Sequence, residues 1–130
     1  MAALLVSLLL LALTSASLQA PAQAEAVGGT GFFAGRLVDQ ATGDPVQGAV
    51  VKLFRINSEH LLGRARSGAN GRFRIDGLPA ADEELEVRVK GSPVGYENGW
   101  VGCAHKVVPS WAEACSFGQG RQSKFKLQRD

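Results

Sequence analysis

The pattern of apolar and polar positions divides the chain into two unlike parts. Residues 2–13 run AALLVSLLLLAL, apolar all round apart from Ser7. From Phe32 onward the apolar positions instead recur at every second residue, the period of strands with one buried face. FFAGRLVD (32–39) sets Phe33, Gly35 and Leu37 on one face and Ala34, Arg36 and Val38 on the other. AVVKLFR (49–55) puts Ala49, Val51 and Leu53 together, with Val50, Lys52 and Phe54 opposite. RFRID (72–76) points Phe73 and Ile75 inward and Arg72 and Arg74 outward. ELEVRVK (84–90) alternates most cleanly: Leu85, Val87 and Val89 face a core, while Glu84, Glu86, Arg88 and Lys90 face water.

Turn chemistry separates these runs. QATGDPVQG (40–48) gathers Gly, Asp and Pro between two strands, and INSEH (56–60) is a polar loop. LLGRARS (61–67) and RFRID flank GANG (68–71), where Asn70-Gly71 offers the positive φ of a tight turn; this predicts a hairpin. GLPAADE (77–83) is a loop with one apolar anchor, Leu78. No 3.6-residue apolar period follows residue 31. The prediction is an all-β, antiparallel two-sheet sandwich, with KFKLQR (124–129) as a closing strand.

The apolar run at the start is too short for a bilayer, which needs roughly 20 residues. A small-residue segment ends it, and Ala22-x-Ala24 fits a signal-peptidase cut after Ala24. Residues 1–24 are expected to be a signal peptide, 25–31 a flexible leader and 32–130 the sandwich domain. Residues 1–24 hold no Lys or Arg, unlike most signal peptides; an upstream start is the simplest explanation. The expected location is secreted or periplasmic, with no stable membrane span.

Export changes how the two cysteines read. In an oxidising compartment Cys103 and Cys115 are expected to pair, closing a loop of about 13 residues and adding roughly 3 kcal/mol. The rival is a metal held by Cys103, His105 and Cys115. It lacks a fourth ligand and matches no common zinc spacing, so no metal or cofactor is expected. The 14 Lys and Arg against 12 Asp and Glu give a net charge of +2, which singles out no partner. Nucleic acid is not expected for an exported chain. Oligomeric state has no signal in the sequence.

GRLVDQATGDPVQGAVVKLF (35–54), followed by ARSGANGRFRIDGLPA (65–80), resembles the carboxypeptidase regulatory-like domain, a transthyretin-like (prealbumin-like) β-sandwich. The matching positions are Gly35, Leu37 and Asp39; Thr42, Gly43 and Pro45; Gly48, Ala49, Val51 and Leu53; and Gly71, Phe73, Ile75, Gly77, Leu78 and Pro79. The resemblance implies a folding, spacing or binding unit of the kind appended to many exported proteins. Residues 92–130 depart from it, and 96–120 would be a disulfide-closed elaboration on the scaffold.

Three constellations remain. Tyr96, Trp100 and Trp111, with Glu97, Asn98 and Gln119 close in sequence, could stack and hydrogen-bond a sugar; alternatively they pack against the disulfide. Arg64, Arg66, Arg72 and Arg74 would share the outer face of one hairpin, as an anion site or as a solvated edge. The acidic run Asp82, Glu83, Glu84 and Glu86 would offset them. Asp39 and Asp44 lack the dense oxygen ligands of a calcium loop and read as turn caps.

His60 and His105 lie far apart, and no nucleophile-elbow, zinc-protease or phosphate-loop motif occurs. The transthyretin-like fold hosts one hydrolase of a urate oxidation product, but its Tyr-Arg-Gly-Ser tail is absent here; the chain ends FKLQRD. No catalytic residue is expected. The expected function is a non-catalytic structural or interaction module at the cell envelope or outside the cell, contacting a glycan or another envelope protein. The alternative is a carbohydrate-binding protein that uses the aromatic loop.

Overall fold

The computed structural model of the chain describes residues 29–79 and 84–130. The expected signal peptide, the leader up to residue 28, Asp82 and Glu83 lie outside the described residues. The described residues form β1 (Gly31–Asp39), β2 (Val50–Arg55), β3 (Leu61–Arg66), β4 (Arg72–Leu78) and β5 (Leu85–Lys90), followed by β6 (Gly99–Val101), β7 (Val107–Val108), β8 (Ser116–Phe117) and β9 (Gly120–Leu127). Two sheets pack face to face. One has the order β4-β1-β9; the other has the order β3-β2-β5-β6-β7, with β8 also paired to β5. The two-sheet sandwich expected from the alternation is what the chain forms.

The inward positions are those the period of two selects. Val51 and Leu53 from β2, Ala49 just before it, and Leu85, Val87 and Val89 from β5 are fully buried. Against them the opposite sheet sets Phe33, Phe73 and Phe125, whose ring centroids lie 6.1–6.2 Å apart. Each comes from a different strand of that sheet, so the triad locks β1, β4 and β9 together. Burying each such ring contributes about 1.5–3 kcal/mol. Gly35 interrupts the β1 row because a Cβ there would sit 3.0 Å from the Phe73 ring.

Three expectations need correction. β3 and β4 do not form a hairpin: β3 pairs with β2 and β4 with β1, in different sheets. The turn between them exists, with Gly71 at φ 75°. Its two ends are fastened to opposite layers. Ser67, which continues β3, donates its N–H to Ala49 O (2.8 Å) and accepts at its hydroxyl from Ala49 N (3.1 Å), extending the β2–β3 pairing, whereas Gly71 O accepts from Leu37 N of β1 (2.8 Å). The segment is therefore a crossover between sheets. Second, β9 runs parallel to β1, so the sandwich is not wholly antiparallel. Third, Glu86 does not face water; it is 7% exposed, beneath the loops that cover the outer face of β5.

The elaboration extends a sheet rather than capping it. β6 and β8 lie end to end along one edge of β5: Arg88 and Val89 pair with Trp100 and Gly99, and Leu85 and Glu86 with Phe117 and Ser116. Cys103 and Cys115 form the expected disulfide, with Cα atoms 5.1 Å apart, inside the range the bond requires. It joins the chain just after β6 to the chain just before β8. His105 packs its ring on Phe117 and Phe125, at 5.3 and 5.8 Å between centroids. With both sulfurs committed to each other, the Cys103–His105–Cys115 metal reading loses two of its three ligands.

Candidate functional site

The outer face of the larger sheet carries an open cleft of about 570 Å³, lined by Phe54, residues 57–59, Arg88, Trp100 and Trp111. Strand register builds its floor. Arg88 on β5 lies between Lys52 of β2 and Trp100 of β6, and Phe54 lies opposite Glu86. The Phe54 and Trp100 rings meet at 5.5 Å and 52°, and the Arg88 guanidinium stands 5.7 Å from the Trp100 ring. Arginine over an indole face is a favourable, weakly hydrated arrangement. Next to Trp100, Gly99 lets β7 approach β6 closely, since a Cβ there would run into Val108 O.

Two loops form the walls. On one side Asn57 turns the chain with φ 54° and presents Ser58 and Glu59. On the other, a short 3-10 turn (Trp111–Glu113) holds Trp111; the Ser110 hydroxyl caps it by accepting from Ala112 N at 3.1 Å. Glu86 ties both walls to the central strand. Its Oε1 accepts from Trp111 Nε1 and from Asn57 N, each at 3.2 Å. A buried carboxylate with two donors is satisfied, and it fixes the indole edge. Trp111 remains half exposed, with 50% of its surface open to solvent.

The sequence-based site residues are only partly brought together. Trp100 and Trp111 share the cleft, and neither is buried against the disulfide. Tyr96 stands apart from them: it is buried, and its hydroxyl donates to Asp39 Oδ2 at 2.8 Å. The polar neighbours expected beside the aromatic loop also lie outside the cleft. Asn98 Oδ1 accepts from Ser92 N and Gln119 Nε2 donates to Pro79 O. Asp39 caps the turn after β1, as expected, by accepting from Ala41 N (2.8 Å) and Thr42 N (3.1 Å).

Residues missed from sequence are Phe54, Arg88, Glu86 and the 57–59 loop. Phe54 left a trace, a large aromatic on the polar face of its strand. Glu86 left none.

A family model for the carboxypeptidase regulatory-like domain matches residues 33–101, and the chain belongs to that family. No curated protein matches it. Among solved structures, the shaft pilin SpaA of Lactobacillus rhamnosus GG is similar at TM-score 0.57 and 11% identity, over 93% of this chain and 53% of the pilin. A streptococcal ancillary pilin is similar at 0.52 and 20% identity, over 94% of this chain; the chain spans about a third (34%) of that pilin. The 5-hydroxyisourate hydrolase of Klebsiella pneumoniae is similar at 0.51 and 14% identity, over 78% of this chain and 92% of the enzyme. At these identities the likeness is one of fold. Among the described residues, no helix is long and apolar enough to cross a membrane.

Proposed function

We propose that this member of the carboxypeptidase regulatory-like family is a non-catalytic interaction module of the cell envelope or exterior. Its contact surface is the Trp100–Trp111 cleft. The observation that carries this reading is the placement of both tryptophans on one open face, with Trp111 half exposed and held in place by Glu86. A contiguous group of partly exposed aromatic side chains, Phe54, Trp100 and Trp111, marks a contact surface where a single exposed one would not. The Cys103–Cys115 disulfide supports an oxidising compartment, and recurrence of the fold in pilins is consistent with a role outside the cell.

The ligand class that best fits the cleft is a neutral saccharide. Sugar rings stack their C–H faces on aromatic surfaces and present hydroxyls to polar groups at the rim. Trp100, Trp111 and Phe54 supply the surfaces; Arg88 supplies donors from the floor, and Ser58 and Glu59 supply polar groups at the rim.

Binding of cello-, chito- and xylo-oligosaccharides to the purified chain, followed by tryptophan fluorescence, tests the reading. Saturable binding that is lost in Trp111→Ala, with thermal stability retained, supports it. Unchanged fluorescence across the panel, or binding that survives Trp111→Ala, contradicts it.

A further inference from the structure

The opposite face of the sandwich has a different character. The β4-β1-β9 sheet turns its outer side to a second cleft of about 650 Å³. Strand register aligns cations across it. Arg36 on the central strand pairs with Arg72 on one side and Lys124 on the other; Ala34 pairs with Arg74 and Arg121. The small Ala34 therefore lies between two rows of basic side chains, with the Gly35 backbone beside it. Neighbouring strands are about 4.8 Å apart, so the two rows stand about 10 Å from each other. A chain with a net charge of only +2 places six of its 14 basic residues on these three strands: Arg36, Arg72, Arg74, Arg121 and Lys124 at the trough, and Lys126 beyond it.

Among the described residues, one acid, Asp76, pairs with a cation of this trough. Arg74 is paired with Asp76 at 2.8 Å, at the outer strand. Arg36 is held by Asn70 O at 2.9 Å, which keeps its charge. Among the described residues, no carboxylate pairs with Arg72, Arg121 or Lys124. The described members of the acidic run belong to the other sheet: Glu84 accepts from Ser116 Oγ, and Glu86 is buried under the tryptophan cleft. Edge protection alone does not explain the arrangement, because Arg36 lies on the central strand.

We propose that this trough binds a single extended acidic polysaccharide laid along β1, with its carboxylates facing the arginine and lysine rows. Paired guanidinium groups suit carboxylates, which they grip with two parallel hydrogen bonds. A recessed floor of small residues accommodates a polymer chain. Two other polyanions fit less well. Single-stranded nucleic acid relies on exposed aromatic platforms. Here Phe32 is covered by the Arg74 guanidinium, 4.1 Å from its ring centroid, and Phe73 is buried. An anionic bilayer is gripped by apolar side chains beside the cations. The large exposed apolar residues of the described chain, Ile56, Leu61, Val94 and Trp111, all lie outside this trough.

The test is titration of the purified chain with oligogalacturonate, beside poly-dT and phosphatidylglycerol vesicles. The expected result is binding to oligogalacturonate that weakens steeply with added salt. The double reversal Arg72→Glu/Arg121→Glu should lower affinity by about tenfold or more without changing the melting temperature. Trp111→Ala should leave it unchanged, which separates this site from the tryptophan cleft. Lack of binding by the wild-type chain overturns the proposal. So does binding that survives the double reversal, or tighter binding to poly-dT or the vesicles.

Discussion

The Tyr96 hydroxyl donates to the Asp39 carboxylate at 2.8 Å, across 57 positions of sequence, inside the protein. Asp39 ends β1, Tyr96 opens the elaboration, and Arg129, just past β9, adds its Nε to the same oxygen at 3.0 Å. The Arg129 guanidinium also lies 5.2 Å from the Tyr96 ring centroid. The other carboxylate oxygen holds the turn at Ala41 and Thr42. One buried acid thus fastens the family scaffold, the added segment and the final strand. The Tyr96 hydroxyl contributes most to lowering the Asp39 pKa, from 3.8 to about 2; burial opposes it, and the two backbone amides and Arg129 add to it. Burial first, then the bond to Asp39, raises the Tyr96 pKa above 10.0.

A defined pH dependence follows from this pair. Asp39 is more acidic folded than unfolded, so its contribution is complete above about pH 4 and is lost as pH falls towards about 2. Tyr96 works in the opposite sense. Its folded pKa is raised, so its contribution is complete below about pH 10 and is lost as pH rises further. Tyr96→Phe should lower the melting temperature at neutral pH by on the order of 5 °C. Its loss of stability at both ends of the pH range should be shallower than in the wild type. Thermal melts by circular dichroism from pH 2 to 11 check this.

Glu86 is the positioning residue of the tryptophan cleft. Glu86→Ala leaves the Trp111 indole and Asn57 amide without their acceptor, at a cost of about 1–3 kcal/mol. Trp111 should then become mobile, with red-shifted emission and faster quenching by iodide. Glu86→Gln retains an acceptor oxygen and should restore most of both properties. An emission spectrum that is identical in Glu86→Ala and the wild type would show that Trp111 is held by something else.

The disulfide should act locally. It closes a 12-residue separation beside β6 and β8, so breaking it is expected to cost roughly 3 kcal/mol. Cys103→Ser/Cys115→Ser should lower the melting temperature and loosen β6, β7 and β8. The pairing of β1 with β4 should be retained, because Phe33 and Phe73 join those strands directly, and the cross-linked loop reaches the triad only through His105 on Phe125. Amide hydrogen exchange resolved along the chain distinguishes this local effect from general unfolding.

Much of the framework was legible because one physical signal controls it. A strand with one buried face writes its orientation into every second residue, and β1, β2, β4 and β5 follow that rule for their inward side chains. The period says which side chains face in, but not which sheet a strand joins. The Asn70-Gly71 turn therefore reads as a hairpin, although Ser67 is bonded to Ala49 beside β2 and Gly71 to Leu37 of β1. The same limit hid both clefts. Trp100 meets Phe54 and Arg88 only through register between distant strands, and Arg36 meets Lys124 only once β9 returns beside β1. Glu86 obeyed the outward alternation and is still buried, because loops from two other parts of the chain fold over it. Tyr96 was grouped with the tryptophans by proximity in sequence, whereas burial and Asp39 give it a different role.

The central claim is that the Trp100–Trp111 cleft is the contact surface. The chain contains two tryptophans, so a proton–nitrogen correlation spectrum shows two indole signals, both reporting on that cleft. Titration with cello-, chito- and xylo-oligosaccharides should move both signals together and saturably, while the backbone amides of Arg72 and Arg121 on the opposite face stay still. Indole signals that do not move with any of the three, or shifts confined to a different face, would contradict the account.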